Sequence, residues 1–320
     1  MKEVERIYFI KGRPFLFAVE TSSNMDDYQK YEDLRQEIWK EPTDRMAGLR
    51  NMLCENYFDK GSSVFTGVFI EGKKGDFPKD AAHLAGFSYG FVGVREKALG
   101  FNSSSNLCFY SQYLGVKKGY RDLGLGVLIK EFQKDVVAGV LGIDTITCTY
   151  DPLVAVNAYR NFHRFNMKLI EYKEAYYQNF GGILNRADVP SDRLYVSWNL
   201  KDEPPREACE FKRLLESGHL AVTSGLKEVR GRSGAVRLEE VAGVRLDLER
   251  ETILLEIPAD FYFMLRETDV TDEKVRKIPL EWRMKTREVF QTLLERKYRI
   301  IDFRVHEGKD RKRVFYVLRR

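Results

Sequence analysis

The chain has 320 residues, 43% hydrophobic and 32% charged, which is ordinary globular material with enough apolar side chain for one or two cores. The 53 basic and 48 acidic residues leave a net charge of only +5, and no window carries an RNP, zinc-finger or homeodomain pattern, so nucleic acid is not an expected partner. The first residues include acids and no apolar run reaches the ~18 residues of a membrane span, so neither a signal peptide nor a membrane is expected, and the expected location is the cytoplasm.

Along the chain, Phe15 to Val19 reads as a strand. Tyr28 to Trp39 reads as a helix with Tyr31, Leu34, Ile38 and Trp39 on one side, and Met46 to Phe58 as a second helix. Strands follow at Val64–Ile70 and Leu84–Val92, joined by the polar Glu71–Gly75 loop, and then at Leu107–Val116. A glycine-containing loop leads into a helix reaching about Val140, with Val127, Leu128, Phe132, Val136 and Val137 on its apolar face. Thr145–Tyr150 is a strand, Val154–Phe165 a helix, and Leu169–Tyr177 and Leu194–Trp198 are strands. The order is β-α-α-β-β-β-α-β-α-β-β, ending near Leu200.

The charged, proline-containing stretch Lys201–Arg206 marks an expected boundary between a domain of residues 1–200 and one of residues 201–320. Beyond it, Thr252–Pro258 is a strand, Pro279–Arg296 a helix with Trp282, Val289, Phe290 and Leu293 inward, and Ile300–Phe303 and Val314–Leu318 are strands. That pattern suffices for a small α+β domain. Cys54, Cys108, Cys148 and Cys209 contain no Cys-x-x-Cys pair and are read as reduced thiols. His83, His219 and His306 have no partners at metal-ligand spacing, so no metal is expected. His163 reads as a surface or core helix residue.

The loop Arg121-Asp122-Leu123-Gly124-Leu125-Gly126 carries the most information. A glycine loop feeding a helix presents free backbone N–H groups and the positive end of the helix dipole, both favourable to phosphate. Packing-only βα units also use such turns. A dinucleotide fingerprint would need glycine at Ile129, and a P-loop would need Lys-Ser/Thr after the second glycine; neither is present.

Arg-x-x-Gly-x-Gly after a strand ending Leu114-x-Val116 resembles the pyrophosphate loop of the GNAT superfamily of CoA-dependent N-acyltransferases, and the element order resembles that family throughout. Thr149–Leu153 with Asn157-Ala158-Tyr159, Leu184-Asn185-Arg186 with Pro190–Leu194, and the tail residues Ile257–Phe261, Trp282-Arg283, Thr286-Arg287, Tyr298, Asp302-Phe303 and Phe315–Leu318 resemble a little-characterised group of predicted acetyltransferases with a C-terminal extension. The resemblance implies an α/β (α+β) fold, with a GNAT-type mixed central sheet, flanking helices and a small C-terminal α+β domain. It implies acetyl-CoA or another acyl-CoA as donor, succinyl-CoA included, and a small amine, an amino acid among the candidates, as acceptor. A non-catalytic acyl-CoA-binding module is the alternative, and a homodimer is compatible with either.

By the same resemblance, the cofactor-binding residues are Leu114 and Val116 through their backbone, Arg121, Asp122, Leu123, Gly124, Leu125 and Gly126 in the loop, and Asn157. Asp122 stands where the family usually has glycine. The family's acid, a tyrosine, would fall at Phe162, so Tyr159, one turn earlier, is the candidate acid, against a packing role. Asp151, at the end of its strand, is a candidate for handling the amine or its proton, against an N-cap role supported by Pro152. Asp192 and Arg193 suit either a loop over the acceptor or a salt-bridged turn.

Overall fold

The computed structural model describes residues 4–41, 44–177, 184–201 and 207–320. The chain condenses into two units, Met1–Cys148 with Asn199–Lys201, and Thr149–Trp198 with Asp202–Arg320. By compactness, therefore, residues 149–198 belong with the C-terminal segment, although the change in chain pattern was expected at residue 200. Most of the stretch Lys201–Arg206 lies outside the described residues.

The first unit contains β1 (Glu5–Ile10), β2 (Arg13–Val19), α1 (Gln29–Trp39), α2 (Leu49–Glu55), β3 (Ser63–Ile70), β4 (Leu84–Val94), β5 (Leu107–Val116), α3 (Leu125–Gly139) and most of β6 (Thr145–Tyr150). The strands lie in the order β1-β2-β3-β4-β5-β6, antiparallel except for the parallel pair β5/β6, so the sheet is mixed as expected. Helices cover both faces. Phe65 and Phe87 meet Tyr31 of α1, with ring centroids 5.6 and 6.2 Å apart, while Phe17 meets Phe132 of α3 at 5.8 Å. Strand β1 was not foreseen; it pairs with β2 through a tight turn at Lys11 and Gly12, both at positive φ (50° and 77°). In α3 the buried face is Leu125, Ile129, Phe132, Val136 and Val137, with Val127 and Leu128 only half-buried, a small rotation from the expected stripe.

The second unit continues from Thr149 through α4 (Ala155–Ala158), which runs into a π-helical turn at Tyr159–Arg164 in place of the regular helix expected. Strands β7 (Lys168–Lys173) and β8 (Arg193–Asn199) pair antiparallel. After them come α5 (Phe211–Glu216), β9 (Leu220–Gly231), β10 (Gly234–Val244), β11 (Thr252–Ile257), α6 (Phe261–Glu267), α7 (Glu273–Arg276), α8 (Ile278–Glu295), β12 (Arg299–Glu307) and β13 (Lys312–Arg319). Strands β9 to β13 form a five-stranded sheet in the order β10-β9-β11-β13-β12. Helix α8 opens with Pro279 in its first turn, where the missing N–H costs nothing, and buries Trp282, Val289, Phe290 and Leu293 as expected. Phe290 stands edge-on to Tyr316 at 5.1 Å, and the Trp282 indole donates to the Glu239 carbonyl at 2.8 Å. On the opposite sheet face Phe211 of α5 packs on Phe315 at 5.6 Å. All four cysteines are free thiols, with Cys108 and Cys148 buried. No helix among the described residues is long and apolar enough to cross a membrane.

Candidate functional site

Strand β5 is held on one side by β4 over its whole length, with a bulge that leaves Gln112 as the extra residue. On the other side its parallel ladder to β6 has only two rungs, Phe109/Ile146 and Tyr110/Thr147. The Lys117 N–H donates to Ala85 O at 2.9 Å, which fixes the phase of the antiparallel ladder. Tyr113, Gly115 and Lys117 bond to β4, so the N–H and C=O groups of Leu114 and Val116 point away from it. They face the side where the β6 ladder has ended. A backbone edge of this kind is what an extended ligand needs in order to pair as an added strand.

The loop after β5 makes a short turn at Lys118–Tyr120 and folds Arg121 back, its Nε donating to Val116 O at 3.3 Å. Asp122 then adopts φ 63°, in the left-handed region that favours glycine. The departure from the family pattern is therefore chemical and not conformational. The backbone takes the glycine-type turn, and aspartate is among the few side chains that tolerate it. Its carboxylate is solvent-exposed, as are Arg121 and Gly124. Gly124 follows at φ 82°, with no atom within 4 Å of where a Cβ would sit. It is the N-cap of α3, and among the described residues no side chain caps this terminus; the Val127 and Leu128 N–H groups fold back on Gly124 O. Leu125, 1% exposed, anchors the helix start in the core, so the terminus is fixed while its outer face is open.

The remaining expected residues lie in the second unit. Asp151 is 6% exposed with both oxygens engaged: Oδ1 accepts from Leu153 N at 2.8 Å and Oδ2 from Nη2 of Arg283. Burial works against the charge of Arg283, but Asp151 and Asp192 outweigh it and raise the guanidinium pKa. Nε and Nη1 of Arg283 have no hydrogen-bond partner among the described residues. Asp192 is fully buried and accepts Arg287 through both oxygens at 2.9 and 2.7 Å, the Tyr172 hydroxyl at 2.6 Å and Ala175 N at 2.9 Å. Burial, and then the Asp192 charge, drive the Tyr172 phenol far above its ordinary range. Of the two earlier readings for Asp192, this is the salt-bridged one. Arg283 and Arg287 are one helical turn apart on α8, and each clasps one of the two aspartates.

Asn157 accepts from Arg160 at 2.7 Å, within its own helix. Tyr159 is 38% exposed and its ring lies against that of His163, centroids 4.6 Å apart. His163 Nδ1 is 2.9 Å from Asp302 Oδ1, a pairing that the sequence reading missed. Phe162 is buried between Tyr150 and Tyr316, at 6.5 and 6.0 Å, so the position usually held by the family's tyrosine is part of the core here. Among the described residues no group of three or more His, Cys, Asp or Glu side chains could hold a metal ion.

No family profile matches this sequence, and no curated relative does. Solved structures that overlap it include Arabidopsis thaliana NAA60 in complex with acetyl-CoA, 14% identical over 59% of this chain and 99% of that one, with a TM-score of 0.41. The ribosomal-protein-S18-alanine N-acetyltransferase from Escherichia coli is 11% identical over 60% of this chain and 99% of that one, with a TM-score of 0.40. The spermidine/spermine N-acetyltransferase SpeG from Vibrio cholerae, in mutant forms, is 7% identical over 57% and 95%, at 0.38. At such TM-scores these overlaps say nothing of the reaction of this chain.

Proposed function

We propose that this chain is a CoA-dependent N-acyltransferase that carries an acetyl or other acyl group from its CoA thioester directly to a small amine, an amino acid among the candidates, in a ternary complex. The observation that carries the proposal is the two-rung β5/β6 ladder, followed on the same strand by an uncapped helix terminus behind a glycine turn. In this reading the pantetheine chain pairs with the backbone of Leu114 and Val116. The N–H groups from Leu123 to Gly126, with Arg121, take the pyrophosphate.

The amine nitrogen, unprotonated, attacks the thioester carbonyl; a C–N bond forms, the C–S bond breaks, and the thiolate takes up a proton. The Leu114 N–H is the donor we assign to the developing oxyanion. Tyr159, with an exposed ring, is the acid we assign to the thiolate, and Asn157 supports the helix that carries it. Both Asp151 oxygens are engaged in a buried site, one by Leu153 N and one by Arg283. We therefore assign it a positioning role and leave the amine proton to water. Phe162, buried where the family's tyrosine would be, favours a second reading, a module that binds acyl-CoA without turning it over.

Thiol release from acetyl-CoA and succinyl-CoA across an amine panel separates the two. Turnover on any amine supports the enzyme, and CoA binding without turnover supports the module. Tyr159→Phe retains the packing and removes only the hydroxyl, so a loss of about 10²–10⁴ in the transfer step with unchanged CoA binding supports the acid assignment. Turnover at the wild-type rate refutes it.

A further inference from the structure

In the second unit, the parallel pair β9/β11 also stops after two rungs, Leu220/Leu254 and Val222/Leu255, while β11 continues along β13 to Ile257/Val314. Beyond the last rung, a pocket of about 400 Å³ lies between β9 and the β12–β13 hairpin, lined by Ser224 and Gly225 of β9, His306 of β12, Lys309 of the β12–β13 turn, and Arg311 and Arg313. This volume suits a small metabolite. Behind the cavity, the fully buried Glu256 carboxylate accepts Arg313 through both oxygens at 2.8 and 2.7 Å and the Ser224 hydroxyl at 2.6 Å. Arg313 is thereby fixed in orientation.

Arg311 donates through Nη2 to Ser224 O and Oγ, both at 2.8 Å, while its buried Nη1 has no hydrogen-bond partner among the described residues. Arg311 is also ion-paired with Glu239 at 3.5 Å and with Glu256 at 3.6 Å. The Lys309 ammonium is exposed, and neither it nor the His306 ring has an ion pair or side-chain hydrogen bond among the described residues. Asp310 is the one carboxylate in the lining. Arg313 and Arg311 both serve the buried carboxylates, which leaves Lys309 and His306 in the lining without an ion pair among the described residues.

We infer that this cavity is a binding site for a small oxyanion, a phosphate or carboxylate group, held by Lys309 and His306, with Arg311 and Arg313 in its wall. The inference does not depend on the acyltransferase proposal. Titrating the full chain with inorganic phosphate and with citrate, by calorimetry and thermal shift against sodium chloride at matched ionic strength, tests it. Because the α3 terminus is itself proposed to take phosphate, the titration is repeated on the Gly124→Asp variant, which would block that terminus. Saturable binding should persist there, and the tighter of the two ions identifies the headgroup chemistry. Lys309→Gln and His306→Gln leave the Glu256 cluster untouched and should each weaken binding by roughly tenfold, the loss of one charge-assisted contact. The inference is overturned if neither ion binds beyond the chloride control in the Gly124→Asp background, or if the Lys309→Gln/His306→Gln double variant binds as tightly as the parent.

Discussion

Both units contain a parallel strand pair that stops after two rungs, β5/β6 in one and β9/β11 in the other, and they treat the resulting gap in opposite ways. In each, an arginine covers a carbonyl of the parting strand: Arg121 at Val116 O and Arg311 at Ser224 O. The first gap is otherwise edged by main chain, with Gly124 exposed and no side-chain cap. The second is walled by ionised side chains, with the Glu256 carboxylate fully buried against Arg313. A buried backbone group needs a partner, and the choice of partner decides what the gap can do. Donors left on the main chain can be taken up by a ligand, as can the side chains of Lys309 and His306, unpaired among the described residues, whereas Arg313, already bound to a fixed carboxylate, mainly holds the fold together.

The largest test of this contrast is Glu256→Gln. Removing one member of a buried ion pair leaves Arg313 uncompensated and should cost about 3–5 kcal/mol in urea unfolding, whereas Arg121→Gln, at an exposed position, should stay within about 0.5 kcal/mol. Equal costs would erase the distinction. Next is CoA protection. A ligand that binds only the folded state stabilises it by about 2.7 kcal/mol at a hundredfold excess over Kd, and Gly124→Asp or Gly126→Asp should abolish the corresponding rise in melting temperature. Undiminished protection in both variants would place the cofactor elsewhere.

Asp122→Gly sharpens the comparison from the other side. It keeps the left-handed turn and removes a negative charge beside the proposed pyrophosphate site, so CoA should bind several-fold tighter while stability changes by no more than about 1 kcal/mol. Weaker binding would mean that the carboxylate has a positive role.

The smallest effect expected is in acid. A hydrogen bond from Arg186 lowers the pKa of Asp188. Its contribution is therefore complete above the ordinary aspartate value near ~4 and is lost as pH falls through the lower folded value. The pair is part-exposed, so Asp188→Asn should flatten the acid limb of the stability curve by less than about 1 kcal/mol.

Much of this was legible from the sequence. The order of elements, the strand ending at Val116, the glycine turn and the inward face of α8 follow from period and turn chemistry. Strand β1 was missed because Glu5-Arg6 begins a short run whose only hairpin signal is Lys11-Gly12, and the β9–β10 hairpin because its charged, alternating residues resemble loop. Asp151 shows what local reading cannot reach. An aspartate before proline at the end of a strand reads equally as a cap or a base, and its ion-pair partner, Arg283, is 132 residues away.

That distance also sets a clock. During synthesis Asp151 and Asp192 leave the ribosome long before α8, and at about 5–20 residues per second the wait is on the order of ten seconds. Until then their carboxylates have no guanidinium to be buried with, so residues 149–198 must remain solvated and open to chaperones and proteases. Nascent chains stalled near residue 200 should be cleaved readily in this stretch, and chains extended past α8 should resist.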